Sequence, residues 1–370
     1  MHHKHTLSAS IAALALLLAA CGDDGGNGDA AAGNGNDDDG ETTEVTFGVA
    51  TQALIVSLSP YTTVPEELGY FEEEGLEVEV LGFAGGGPTV QALDAGQIDV
   101  GIPPATSLFA AVSEGSDVQG FYTQITRNYL NPMVPEDSDI QEPLDLEGTT
   151  IGPQSLDSAN VPLIRAMVAQ EGGDPDSIDF VATGGPAEAL NYLQSGEIDA
   201  LALWDAAYAD IEVQGQPLRE VSNDFFRELG FHQGLIASQA DIEENREMMV
   251  AMGRAISKGM VFADENPEAA IELYWEAHPE SVPTDIDEDE AMERALRTLE
   301  ARGENTEPID GVWGLATDEQ VREHLEIVIE WNDLNEMSVE DVWTSDLLDE
   351  INDFDEEAIR EEARNYSVNG

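Results

Sequence analysis

The sequence predicts an α/β protein built as two similar lobes, and three observations carry that expectation. Strand-like and helix-like segments alternate from residue 45 onward. The pentapeptides GQIDV (96–100) and GEIDA (196–200) share a Gly-x-Ile-Asp-small pattern. Each follows a glycine turn and a proline suited to opening a helix, GGGP at 85–88 and GGP at 184–186. Each unit therefore reads as glycine loop, Pro-started helix, glycine stop and buried strand.

In chain order, the pattern predicts a strand over 45–50, a helix over 65–74 and an alternating strand over 76–81. A helix over 88–95, a strand over 98–102, a helix over 107–113 and a strand over 118–125 complete the first run. The second run predicts strands at 150–152, 178–182 and 198–203, with helices at 159–170 and 186–194 between them. The segments RNYLNP (127–132) and GFHQG (230–234) read as two crossings between the lobes, which together make a hinge. Beyond residue 242 the chain turns helical, over 242–264, 267–277, 289–302 and 318–334, with weaker acidic helices over 339–364. This tail is expected to pack on the first lobe. The boundaries that follow are 44–128 for the first part of lobe 1, 129–229 for lobe 2, and 230–370 for the return to lobe 1 and its helical tail.

The first 43 residues carry a different signal. Residues 1–20 read as a signal peptide, short and polar and then apolar over 7–20, too short to span a bilayer. The stretch LAAC (18–21) ends on the only cysteine, Cys21, which is expected to take a lipid anchor. Residues 21–43, rich in Gly, Asp and Asn, read as a flexible tether. The expected location is the outer face of the cell membrane, with the lipid as the sole attachment. A lone cysteine also excludes an internal disulfide.

The charge is extreme: 77 acidic residues face 14 basic ones, for a formal net charge of −63, and only Lys4 and Lys258 are lysines. No basic face exists to neutralise phosphates, so nucleic-acid binding is excluded. The acid is spread along the chain, so self-repulsion opposes compaction unless salt screens it, which predicts a high-salt habitat. The acidic run at 37–39 has neither the ligand spacing nor the closing Glu of a calcium loop and reads as solvated linker, and that at 285–290 lacks the glycine and closing Glu and reads as a carboxylate-rich helix start.

Catalytic sets are missing. His232, His278 and His324 are far apart and make no metal spacing, and no nucleophile elbow, phosphate loop or dinucleotide fingerprint occurs. Neither a metal nor a cofactor is expected, and binding is favoured over turnover. Glycine turns leading into helix starts suit an anion or another acceptor-rich group. The candidate ligand residues are Gly86, Gly87, Thr89, Thr106 and Ser107 in the first lobe, and Ser155, Ser158, Asn160, Gly184 and Gly185 in the second. Thr51, Gln52, Ser57 and Tyr61 follow the first strand, where a strand end delivers polar groups to a cleft. Trp204 and Asp205 hold the equivalent place in lobe 2, as a stacking surface and an acceptor, or else as core and helix cap. Arg127 has two readings, partner of an anionic ligand or of surface carboxylates.

The segments PEELGYFEEEGLEV (65–78), ALDAGQIDVG (92–101) and DLEGTTIG (145–152) resemble, in order and spacing, the ABC-transporter substrate-binding proteins of the nitrate, sulfonate, taurine and thiamine-pyrimidine type. The resemblance covers about residues 45–279. It implies a type 2 periplasmic-binding-protein fold, a monomer whose two lobes close over a small-molecule ligand, and a permease and ATPase as partners. A thiamine-pyrimidine precursor is the alternative ligand, and solute sensing at the surface the alternative role. Pyrimidine synthases of the same fold carry a cysteine-rich motif that this chain lacks.

Overall fold

Two five-stranded sheets, one per lobe, organise the chain in a computed structural model that describes residues 42–284 and 286–367. The expected signal peptide, Cys21 and residues 22–41 of the expected tether lie outside the described residues, and the last tether residue, Thr43, already belongs to the first strand. The first sheet contains β1 (Thr43–Val49), β2 (Leu76–Gly82), β3 (Val100–Ile102) and β4 (Val118–Ile125), joined by the returning strand, Gln233–Ser238. The second contains β5 (Met133–Pro135), β6 (Thr150–Pro153), β7 (Asp179–Phe180), β8 (Ala200–Ala202) and β9 (Leu218–Glu220). With the returning strand as β10, the orders are β2-β1-β3-β10-β4 and β7-β6-β8-β5-β9.

The two orders are the same topology with one exchange. In each sheet three strands run parallel, and the fourth is antiparallel to its neighbours. That fourth strand is always the one entering from the other lobe: β5 after the first crossing, β10 after the second. The sequence reading places only a crossing at 230–234, because β10 has no partner nearby in the chain.

Helices supply the crossovers that parallel strands require. In the first lobe these are α1 (Thr63–Glu67), α2 (Tyr70–Glu73), α3 (Gly86–Asp94) and α4 (Ala105–Ser113); a 3₁₀ turn, Val56–Tyr61, precedes α1. The single helix expected over 65–74 is broken at Gly69, whose φ of 75° is left-handed. In the second lobe they are α5 (Asn160–Gln170), α6 (Pro186–Ser195), α7 (Asp205–Val213) and α8 (Asp224–Glu228).

The repeated pentapeptide has a physical cause. Asp99 Oδ2 accepts from the Thr46 backbone N–H at 2.8 Å, and Asp199 Oδ2 accepts from that of Thr150 at 2.8 Å. The isoleucine one residue earlier lies against a strand glycine: a Cβ on Gly48 would collide with Ile98 Cδ1, and one on Gly152 with Ile198 Cδ1. The motif thus locks each crossover strand onto its parallel partner, β3 onto β1 and β8 onto β6.

The tail comprises α9 (Gln239–Glu244), α10 (Arg246–Glu265), α11 (Pro267–Ala277), α12 (Glu288–Gly303), α13 (Asp318–Asn332), α14 (Val339–Val342), α15 (Leu348–Ile351) and α16 (Glu356–Asn365). The helix expected over 242–264 is divided at Asn245. At α12, the helix start read for that acidic run, the side chain of Asp287 accepts from the Glu290 N–H at 2.9 Å; Asp285 is outside the described residues. Most of the tail shares the first lobe's core, through Met252, Ile256, Phe262, Val328 and Ile351. Two helices reach further: α12 packs along α7, and α13 along α5, with Ile327 and Trp331 against the second lobe's core. The tail also covers the outer edge of β4, where the N–H groups of Thr123, Thr126 and Thr344 bond the carbonyls of Gly314, Asn305 and Gly120 at 2.8, 2.8 and 2.9 Å. Among the described residues no helix is long and apolar enough to cross a membrane.

Candidate functional site

A cleft of about 920 Å³ separates the lobes, with one wall from each. Gly87 of α3 and Thr106 and Ser107 of α4 line the first wall; Ser158, Val161, Pro162 and Arg165 line the second. Trp331 and Asn332, at the end of α13, border it as well. Helix starts explain the polar walls. α4 follows Pro104 and α5 follows Ala159, and neither has a side chain capping its first turn. The positive end of each helix therefore faces the same space, while first-turn N–H groups are already bonded, Ala105 to the His232 carbonyl at 2.9 Å and Val161 to that of Ser158 at 3.1 Å.

The turn before α5 is preorganised. Ser155 N–H donates to Ser158 Oγ at 3.1 Å, and the two hydroxyls lie 3.1 Å apart. Gly184, at φ 76°, donates its N–H to the Gln154 carbonyl at 3.1 Å, which brings the second glycine loop beside Ser155. Gly185 is the residue before Pro186 at the start of α6. On the other wall, a Cβ at Gly86 would run into Ser107 Oγ, so the glycine lets α3 approach α4 closely.

Arg165 is a cleft residue that the glycine and hydroxyl pattern did not point to. It finds no carboxylate partner among the described residues, in a chain where most other arginines pair with one. Its Nε is buried without a hydrogen-bond partner among those residues, and its guanidinium carbon lies 5.5 Å from the centre of the Phe180 ring. The available signal is helical spacing: Val161 and Arg165 are four residues apart and share a face of α5. Four carboxylate residues, Asp94, Glu114, Asp117 and Asp157, also line the cleft, and that of Asp94 accepts from Ser116 Oγ at 2.6 Å.

Other sequence candidates sit elsewhere. Thr51 Oγ1 donates to the Ala53 carbonyl at 2.9 Å, and Gln52 is exposed. Thr89 is buried, and its hydroxyl donates to the Gly85 carbonyl at 3.0 Å. The Asn160 amide donates to the carbonyls of Leu130 and Leu203 at 3.0 and 2.7 Å, tying the first crossing to the end of β8. The same crossing is held by Tyr208, whose hydroxyl donates to the Asn131 carbonyl at 2.9 Å. Arg127 pairs with surface carboxylates, Glu307 at 3.0 Å and Glu228 at 3.8 Å.

Tyr61 and Asp205 lie at a second polar centre, where α12 meets both lobes, and Ser57 is on the same 3₁₀ turn as Tyr61. Trp204 is half-buried against the second lobe's core, and Asp205 begins α7 without capping it. The Asp205 carboxylate instead accepts from Arg302 Nη2 at 2.8 Å, Asn305 Nδ2 at 3.4 Å and its neighbour's N–H, Ala206, at 2.7 Å. Burial pushes its pKa up, and the Arg302 charge offsets part of that rise. The Arg302 guanidinium carbon lies 5.2 Å from the Tyr129 ring centre, and burial pushes the Tyr129 hydroxyl up to about 12. The hydroxyls of Ser57 and Tyr61 are fully buried and have no partner among the described residues.

The hinge holds a third cluster. His232, on the second crossing, and His324, on α13, stack with ring centres 4.4 Å apart. His324 Nδ1 lies 3.2 and 3.1 Å from the carbonyls of Gly230 and Phe231, so that nitrogen carries the proton. Burial lowers both pKa values, His324 to about 4 and His232 well below its ordinary range, with His324 adding to the latter.

The sequence matches the family model described as NMT1/THI5 like over residues 61–270. It is 26% identical over 296 residues to the formylaminopyrimidine-binding protein of Halalkalibacterium halodurans, covering 78% of this chain and 84% of that protein. The fold superposes on the periplasmic aliphatic sulphonate-binding protein SsuA of Escherichia coli with a TM-score of 0.63 at 19% identity, covering 81% of this chain and 97% of that one. For the periplasmic nitrate-binding protein NrtA of Synechocystis the TM-score is 0.58 at 14% identity, with 89% and 99% covered. These two likenesses are of fold: the paired sheets have the architecture of periplasmic binding proteins.

Proposed function

The chain belongs to the NMT1/THI5-like family, and on that premise we propose that it is the extracytoplasmic solute-binding component of an ABC importer. It takes a small solute in the interlobe cleft and delivers it to a permease coupled to an ATPase. Lobe 1 (44–128 and 230–370) and lobe 2 (129–229) close over the solute, whose contacts to both walls stabilise the closed form. The protein acts by binding, as a monomer held to the outer face of the cell membrane through a lipid on Cys21, with neither metal nor cofactor.

The observation that carries this reading is Arg165, a partly buried guanidinium without a carboxylate partner among the described residues, in the same cleft as two uncapped helix starts. Together with Gly87, Thr106, Ser107 and Ser158, and with Ser155 and Gly184 behind them, it suits a small anion of the sulfonate, taurine or nitrate kind. A thiamine-pyrimidine precursor is the second reading, favoured by the curated relative that binds formylaminopyrimidine.

A thermal-shift and calorimetric screen in about 2 M salt, where surface charge is screened, tests both. Saturable binding of taurine, alkanesulfonates or nitrate that Arg165→Gln abolishes supports the first reading. A response to aminopyrimidines alone moves the assignment to the second, and a response to neither class removes both.

A further inference from the structure

The helical tail belongs by its packing to lobe 1, whose core includes Ala295 and Leu299 of α12 and Val321, Leu325 and Val328 of α13. It nevertheless grips both crossings of the hinge. At the first, the Thr126 N–H donates to the Asn305 carbonyl at 2.8 Å, Arg127 Nη1 donates to that of Glu304 at 3.3 Å, and Arg127 pairs with the Glu307 carboxylate at 3.0 Å. At the second, His324 Nδ1 donates to the carbonyls of Gly230 and Phe231 at 3.2 and 3.1 Å. The tail then reaches lobe 2 itself. Arg302 of α12 holds Asp205 of α7 at 2.8 Å, with side chains only 7% and 5% exposed, and Asn305 Nδ2 donates to the same carboxylate at 3.4 Å. Along α13, Ile327 and Trp331 pack against the core of lobe 2 beside α5. Two covalent links between the lobes are thus flanked by two non-covalent ones.

With the tail fixed to lobe 1, swinging the lobes apart about the crossings breaks the contacts to lobe 2. It bares the apolar surface of Ile327 and Trp331 to water and separates Arg302 from Asp205, a buried pair that salt screens little. The same contacts oppose the mutual repulsion of two lobes in a chain of net charge −63. We propose that α12 and α13 form a brace across the lobe boundary, anchored at Asp205–Arg302 and at Ile327 and Trp331, which holds the lobes near the spacing of this structure even without solute. Solute exchange then takes place through a limited swing, and the brace sets its amplitude. This inference rests on the two-lobe reading above and adds to it the element that governs how far the lobes part.

Double electron–electron resonance on the purified chain, exhaustively dialysed and without added solute in about 2 M salt, tests the brace. In a Cys21→Ser background, nitroxide labels are placed at Glu79→Cys on β2 and Asp179→Cys on β7. Both positions are exposed, on the sheet edges opposite β4 and β9, where a rotation about the crossings moves the chain furthest. The parent is expected to show one narrow distance. Arg302→Gln leaves the Asp205 carboxylate buried without its cation, and parting the lobes is what hydrates it, so a longer distance is expected to appear. Ile327→Ala with Trp331→Ala, at half-buried positions that carry no charge, has the same effect and keeps the test open should Arg302→Gln fold poorly. A longer component in either folded variant, absent from the parent, supports the brace. A parent that already samples the longer distance, or folded variants that all keep the short one, overturns it. No solute enters the measurement, so a failed brace and a failed solute assignment are told apart.

Discussion

Arg302 Nη2 lies 2.8 Å from Asp205 Oδ1, a contact between α12 and the first turn of α7 in which both side chains are buried. The pair joins the helical tail to the second lobe. Removing the cation alone leaves a carboxyl in a dry site, so Arg302→Met is expected to cost about 3–5 kcal/mol. Replacing both residues, as Arg302→Met with Asp205→Leu, is expected to recover a large part of that loss. Urea denaturation of the three proteins at one salt concentration measures it; a double variant no more stable than Arg302→Met contradicts the expectation.

Salt should stabilise the fold. With 77 acidic residues against 14 basic ones, repulsion outweighs the exposed ion pairs that salt also weakens, such as Arg246 with Glu350. Between about 0.1 and 1 M the Debye length falls from roughly 10 to 3 Å, and the thermal midpoint is expected to climb throughout. A midpoint indifferent to salt from 0.1 M up to about 2 M runs against this account.

The duplicated glycine and isoleucine contacts predict matching behaviour in the two lobes. Gly48→Ala and Gly152→Ala each force an isoleucine Cδ1 to move, at an expected cost of about 1–3 kcal/mol. Trimming the obstructing methyl with Ile98→Val should reduce the penalty of Gly48→Ala. A double-mutant cycle over Gly48 and Ile98 reads the coupling directly, and strict additivity would refute the contact's importance.

The stacked histidines predict a dependence on pH whose sign is fixed. His324 titrates near 4 in the fold against about 6.5 when unfolded, so the unfolded chain binds more protons between those values. Stability from this residue is complete above about pH 6.5 and is lost as pH falls toward 4, by about 2 kcal/mol at pH 5. His232, also lowered, acts in the same direction. Chemical denaturation of His324→Gln beside the parent, from about pH 7 to 5, should show a shallower decline for the variant; parallel curves would exclude the histidine as the cause.

The lobes were legible because their signals are local. GQIDV and GEIDA share one pattern, and each makes the same contacts to the parallel strand beside it, β1 in one lobe and β6 in the other. The helix over 267–277 and the strand over 118–125 appear with the bounds the pattern gives. What stayed hidden depends on partners far along the chain. β10 gains its meaning only from β3 and β4, and Asp205 from an arginine on α12. Asn160 looks like a ligand residue by type, yet its amide is engaged by two backbone carbonyls that no spacing rule connects to it. Breaks at Gly69 and Asn245 escaped the helical period because apolar spacing continues across both.

Cover for the outer edge of β4 arrives late in synthesis. The carbonyls of Asn305 and Gly314 and the N–H of Thr344 belong to the last fifth of the chain, so an emerging polypeptide exposes a row of unpaired peptide groups long after both sheets have been made. An open ladder of this kind recruits other strands. A nascent chain halted before Asn305 would thus hold two complete sheets and still be prone to stick to its neighbours, and the tail serves the protein as a built-in guard against self-association.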